Sequence, residues 1–184
     1  MEKIRSFIAI EIGYNEKIKQ LFNDIKNTGA IIKLVEPENI HITLKFLGDI
    51  SDDNIKDIEN IMKNSLVGIK PFQFNLEGIG VFPNQKYIKI IWIGINNSEI
   101  LEKISKRINE KIYSIIPENK QQKFIPHITI CRVKSSKNKE KILEIVDKYK
   151  NYKFADIIVD TIKLKKSELT SKGPIYSDII KLNI

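Results

Sequence analysis

At 184 residues, with 42% hydrophobic and 29% charged side chains, the chain has the balance of one globular domain or two small lobes on a shared core, and is too apolar to be disordered. Its net charge of +8 favours an anionic partner, RNA foremost, although the cations are nearly all lysine and leave three arginines, Arg5, Arg107 and Arg132, to be weighed one by one. A lone cysteine, Cys131, excludes an intramolecular disulfide and suits a reducing, cytoplasmic setting, and an opening segment carrying Glu2 and Glu11 is neither a secretory signal nor a membrane span.

In chain order, residues 3–12 are rich in β-branched and aromatic side chains and predict a strand. Residues 15–28 place Ile18, Leu21, Phe22 and Ile25 on one helical face, with Gly29 as the stop. After the turn-like run 36–39, residues 40–47 predict a short strand. Ser51-Asp52-Asp53 then opens a helix continued by Ile55, Ile58, Ile61 and Met62. Residues 71–82 return to strand and close at Pro83-Asn84. The same order then restarts: strand 86–95, helix 98–115, strand 124–133, helix 138–150, strand 154–167 and, after the Lys172-Gly173-Pro174 turn, a final strand at 175–182. The chain reads as β-α-β-α-β written twice, a single bilobal α+β domain with approximate repeats 1–83 and 84–184. Repetition of this size implies two similar lobes about a pseudo-twofold axis, with equivalent positions facing each other. A monomer is the simplest expectation.

Both histidines of the chain, His41 and His127, occupy equivalent positions 86 residues apart, and each opens a His-Ile-Thr segment followed by Leu44 or Ile130. In a strand, residues i and i+2 share a face. His41 and Thr43 therefore project together, as do His127 and Thr129, with the intervening isoleucines turned to the core. Two imidazoles and two hydroxyls suit the opening of a cyclic phosphodiester. One imidazole takes a proton from water, the other gives one to the departing sugar oxygen, and the hydroxyls donate to the non-bridging oxygens, where charge is held in the transition state. His41 is assigned as the acid for a leaving 3′-oxygen and His127 as the base. No metal is called for, since two histidines alone leave zinc short of ligands.

The segments Asn39-Ile40-His41-Ile42-Thr43-Leu44-Lys45-Phe46-Leu47-Gly48 and Pro126-His127-Ile128-Thr129-Ile130-Cys131-Arg132-Val133 resemble the signatures of the 2H phosphoesterase superfamily, and within it the RNA 2′,3′-cyclic phosphodiesterases, also called the 2′-5′ RNA ligase family. Arg5-Ser6-Phe7-Ile8-Ala9-Ile10, Gly78-Ile79-Gly80-Val81-Phe82-Pro83 and Gly173-Pro174-Ile175-Tyr176 resemble the family's opening strand, mid-chain turn and closing turn. The resemblance implies a bilobal fold with two antiparallel sheets facing a central cleft. It also implies cofactor-free hydrolysis of cyclic RNA ends to 2′-phosphates, together with joining or cleavage of 2′-5′ linkages. It further implies that Arg132, five positions past the second histidine, contacts phosphate. Strict alternation would turn Arg132 to the opposite face, so a bulge or a strand end is required to redirect it.

The same alternation puts Lys45 on the His41 face as a phosphate-binding cation, and Cys131 on the His127 face, where a packed thiol is the simpler reading than a nucleophile. Phe82 and Tyr176 are candidates for stacking on a base, whereas Trp92, in an intensely apolar strand, is expected in the core. Some relatives place a base-stacking aromatic where this chain has Ile8. The basic run 134–139 is an exposed loop or a contact to the RNA backbone. The expected partners are RNA 3′ termini or small cyclic nucleotides. The alternative from another class is a non-catalytic module that only grips an RNA phosphate.

Overall fold

The structure, a computed structural model, describes residues 3–117, 123–171 and 173–184. Its helices follow the predicted apolar stripes. In α1 (Glu16–Asn27), Ile18, Leu21, Phe22 and Ile25 are buried, and the Asn15 side chain caps the first turn by accepting from the Ile18 amide at 2.9 Å. In α2 (Asp52–Leu66), the Asn54 side chain reaches back to accept from the Ser51 amide, and Ile58, Ile61 and Met62 are buried. α3 (Glu99–Ile112) buries Leu101, Ile104, Ile108 and Ile112, and α4 (Lys139–Lys148) buries Ile142 and Val146.

Among the described residues, nine strands make two sheets: β1 (Lys3–Glu11), β2 (Ile32–Leu34), β3 (His41–Ser51), β4 (Phe72–Asn84), β5 (Tyr87–Asn96), β6 (His127–Val133), β7 (Lys153–Val159), β8 (Thr161–Leu169) and β9 (Pro174–Asn183). The first sheet has the order β3-β1-β8-β9 and the second β2-β6-β5-β4-β7, with the paired neighbours antiparallel throughout. Apart from the short edge strand β2, the two orders correspond strand for strand: β3 to β6, β1 to β5, β8 to β4 and β9 to β7.

Two features depart from the sequence reading. The single strand expected over 154–167 is two strands: β7 lies in the second sheet and β8 in the first, and the chain changes sheets at Asp160. A continuous β pattern carries no mark of which sheet it pairs with, so the break was invisible. The sheets also do not divide the chain at residue 83. β4, from the first half, pairs with β5 and β7 of the second, while β8 returns to β1 with β9 on its outer edge. Helix α3 follows β5 of the second sheet yet packs on β3 of the first, and β3 itself lies against β6. One buried apolar cluster runs through both halves, including Ile8, Ile42, Ile104 and Ile128.

Candidate active site

His41 and His127 are the first residues of β3 and β6, the two strands that meet between the sheets. Each strand breaks its alternation at the same point of its motif. In β3, Ala9 faces Thr43 and Ile8 faces Lys45, so Leu44 has no opposite number. In β6, Trp92 faces Thr129 and Ile91 faces Cys131, so Ile130 is the extra residue. These are β-bulges, and the residues directly beyond each one change face, up to a second irregularity at Leu47 in β3. The carbonyls of both bulged residues find partners: Leu44 O accepts from Ser105 Oγ of α3 at 2.9 Å, and Ile130 O from the Val35 amide at 2.8 Å.

The bulges decide three sequence expectations. Arg132 is paired with Ile90, two residues from the Trp92–Thr129 pair, and stands exposed on the His127 face. Lys45 and Cys131 are turned the other way. Lys45, expected beside His41, is paired with Ile8, is only 5% exposed, and is held below the usual lysine range by burial. Cys131 is fully buried, and burial pushes its thiol up to about 12, which leaves it no nucleophilic thiolate. The position equivalent to Arg132 in β3 is Phe46, 58% exposed and paired with Phe7 on the His41 face.

The two imidazoles are held alike. His41 Nδ1 lies 2.6 Å from the Asn39 carbonyl, and His127 Nδ1 2.6 Å from the Ile125 carbonyl. A carbonyl only accepts, so each Nδ1 carries a proton and donates it. In the neutral ring, Nε2 is then the bare nitrogen. At His41 that nitrogen is 3.0 Å from Thr43 Oγ1, which donates to it. Burial lowers the pKa of His41, with Lys165 and His127 adding to the effect and the Asn39 carbonyl and Glu11 opposing it.

Aromatic rings wall each histidine. His41 lies 4.9 Å from Phe7 and edge-on to Tyr176 at 5.4 Å, while Phe7 and Tyr176 meet at 4.8 Å. His127 lies edge-on to Phe82 at 5.1 Å and 6.4 Å from Trp92, which packs 5.2 Å from Phe82. Trp92, expected in the core, thus lines the site; its indole covers Gly80, where a Cβ would come within 2.2 Å of the ring. Phe82 and Tyr176, expected as base-stacking rings, both touch a histidine.

Sequence reading missed a charged network beside His41. Lys163 and Lys165 of β8 each pair with Glu11 and with Asp178, the Lys163 contacts measuring 2.5 and 2.6 Å. Glu11 is the strand partner of His41. Against the effect of burial, the two lysines hold both carboxylates below their ordinary range. A cavity of about 190 Å³ opens next to the network, lined by Glu11, Lys163 and Lys181 together with the β7–β8 crossover. Among the described residues, no three His, Cys, Asp or Glu side chains gather as a metal-binding cluster, and no helix is long and apolar enough to cross a membrane. The basic run 134–139 follows β6 and has exposed positions at Lys134, Ser136 and Lys137.

The model of the LigT-like phosphoesterase family matches residues 9–92 and 94–176. The RNA 2′,3′-cyclic phosphodiesterase of Methanocaldococcus jannaschii is 43% identical over 180 residues, covering 97% of this chain and 99% of the relative. That of Aquifex aeolicus is 38% identical over 190 residues, covering 96% and 95%. Among solved structures, Thermus thermophilus TT0787 superposes with a TM-score of 0.80 at 22% identity, covering 98% of this chain and 97% of that one. E. coli LigT complexed with 3′-AMP gives 0.75 at 18%, covering 100% and 99%. With nearly the whole chain matched by family and relatives alike, it belongs to the LigT-like phosphoesterases of the 2H superfamily.

Proposed function

We propose that the chain is an RNA 2′,3′-cyclic phosphodiesterase that converts cyclic ends to 2′-phosphates. The observation that carries this reading is the matched pair of His-Ile-Thr strands, each with its imidazole fixed through Nδ1 and, at His41, with Nε2 meeting the Thr43 hydroxyl. The relatives named above support it. The cyclic phosphate sits between Thr43 and Thr129, whose hydroxyls donate to the non-bridging oxygens, Thr43 turning from His41 Nε2 to do so, with the Arg132 guanidinium adding a forked positive donor. Water attacks phosphorus and loses its proton to one Nε2. The bond from phosphorus to the 3′-oxygen breaks, and the other Nε2 protonates that oxygen. With a 5′-hydroxyl in place of water, the same steps form a 2′-5′ linkage.

Burial keeps His41 short of its proton. This favours His41 as the base and His127 as the acid, the reverse of the assignment made from sequence. A buried Cys131 fits a reducing, cytoplasmic setting. The direct test incubates a short RNA ending in a 2′,3′-cyclic phosphate with the protein, in excess EDTA, beside His41→Ala and His127→Ala. Conversion to the 2′-phosphate by the parent protein, lost in both variants, is the expected result. A cyclic end left intact by folded protein would sink the reading.

A further inference from the structure

The three arginines are differently employed. Arg107 donates to the Ser65 and Val67 carbonyls at 3.0 and 2.9 Å and so closes the end of α2. Arg5 and Arg132 are exposed, and neither guanidinium has a hydrogen bond or ion pair among the described residues. They rise from opposite sheets, yet burial raises the Tyr176 hydroxyl above its ordinary value and both arginines, with Lys165, oppose it. Arg132 belongs to the His127 face. Arg5 lies two residues from Phe7 on the same face of β1, and Phe7 touches both His41 and Tyr176.

Arg5 also stands at a distance from the reacting phosphate. Thr43 faces Ala9, four residues along β1, and four residues span about 13 Å of strand. That is farther than an arginine side chain reaches, so Arg5 does not share the phosphate held at Thr43 and Arg132. A second phosphate one nucleotide away does fall within its range. An unpaired guanidinium on the rim of a phosphate-handling cleft is matched to an anion with two oxygens to offer.

We propose that Arg5 holds the internucleotide phosphate on the 5′ side of the cyclic end, so that the protein selects RNA chain ends over cyclic mononucleotides. The inference rests on the reading of the site as a cyclic phosphodiesterase and names its substrate class.

The test compares a nucleoside 2′,3′-cyclic phosphate lacking any 5′-phosphate with a dinucleotide ending in the same cyclic phosphate, using the parent protein, Arg5→Ala and Arg5→Lys. The parent protein is expected to prefer the dinucleotide. Arg5→Ala lowers kcat/KM for the dinucleotide on the order of tenfold and leaves the mononucleotide within about twofold. Arg5→Lys restores part of the loss. For binding of a short RNA, the slope of log affinity against log salt becomes shallower by about 0.7 in Arg5→Ala, the signature of one lost single-strand phosphate contact. Equal losses on both substrates, an unchanged dinucleotide rate, or a parent protein with no preference for the dinucleotide would each overturn the inference. A parent protein that opens neither substrate would instead remove the reading on which it rests.

Discussion

His41 is fixed at both ring nitrogens, by the Asn39 carbonyl at Nδ1 and by Thr43 at Nε2, and its burial makes the charged form costly. Its titration followed by NMR in the free protein is therefore expected to have a midpoint below the ordinary histidine value of about 6.5. The sign for stability follows. Because the folded pKa is depressed, the unfolded chain binds this proton first as pH falls. His41's contribution is thus fully present above the unfolded value and is lost as pH drops through the folded one. A midpoint at or above 6.5 would remove both this argument and the base role given to His41. Thr43→Ala and Thr129→Ala are each expected to lower kcat by about 10²-fold with a smaller change in KM, if the hydroxyls act on charge that develops only in the transition state. The placing of the two His-Ile-Thr motifs on equivalent strands was legible because the motif occurs twice at matching positions. Glu11, Lys163, Lys165 and Asp178 were not, because the ion pairs of Glu11 with the two lysines join residues 152 and 154 apart and nothing local marks them.

At the level of elements, the helices were readable and the strand faces were not. Helical stripes such as Ile18-Leu21-Phe22-Ile25 repeat over several turns and tolerate small errors of phase. A strand face has a period of two, so one inserted residue inverts everything after it. That single slip put Lys45 and Cys131 on the histidine faces and left Arg132 needing an explanation; the bulge at Ile130 supplies it. The bulge at Leu44 depends on α3, since Ser105 is fully buried and holds the Leu44 carbonyl. Ser105→Ala is expected to destabilise the protein by about 1–3 kcal/mol in urea unfolding, the cost of a buried carbonyl left without its donor. It should also lower activity, because the bulge sits one residue from Thr43. Lys45→Met is expected to keep kcat/KM within about threefold, since a side chain of similar length on the core face does not meet substrate. Arg132→Ala should instead lose about 10²-fold, as expected for a charge-assisted contact to phosphate. A Lys45 loss as large as that of Arg132 would contradict the face assignment.

Over the whole molecule, the duplicated pattern described the sheets correctly but not their ownership. The first sheet needs β8 and β9 from the end of the chain, and the second needs β4 from its middle. Helix α3 adds a further tie by packing on the sheet that does not contain its neighbouring strand β5. Neither sheet can be completed from one half of the sequence, so the lobes are expected to unfold together although each carries its own histidine. The chain's one tryptophan, Trp92, reports on the second sheet, and a Phe46→Trp variant in a Trp92→Phe background places a reporter at an exposed position of the first. Urea transitions followed by either fluorophore and by far-UV circular dichroism should coincide in midpoint and slope, as required for a single cooperative unit. The fragment 1–83 should remain unfolded on its own, because its β1 lacks β8 and its β4 lacks both β5 and β7. Separate midpoints for the two reporters would mean that each lobe is stable alone. The alignment of the two histidines would then depend on how the lobes dock, and the exchange of strands would not be what holds them in place.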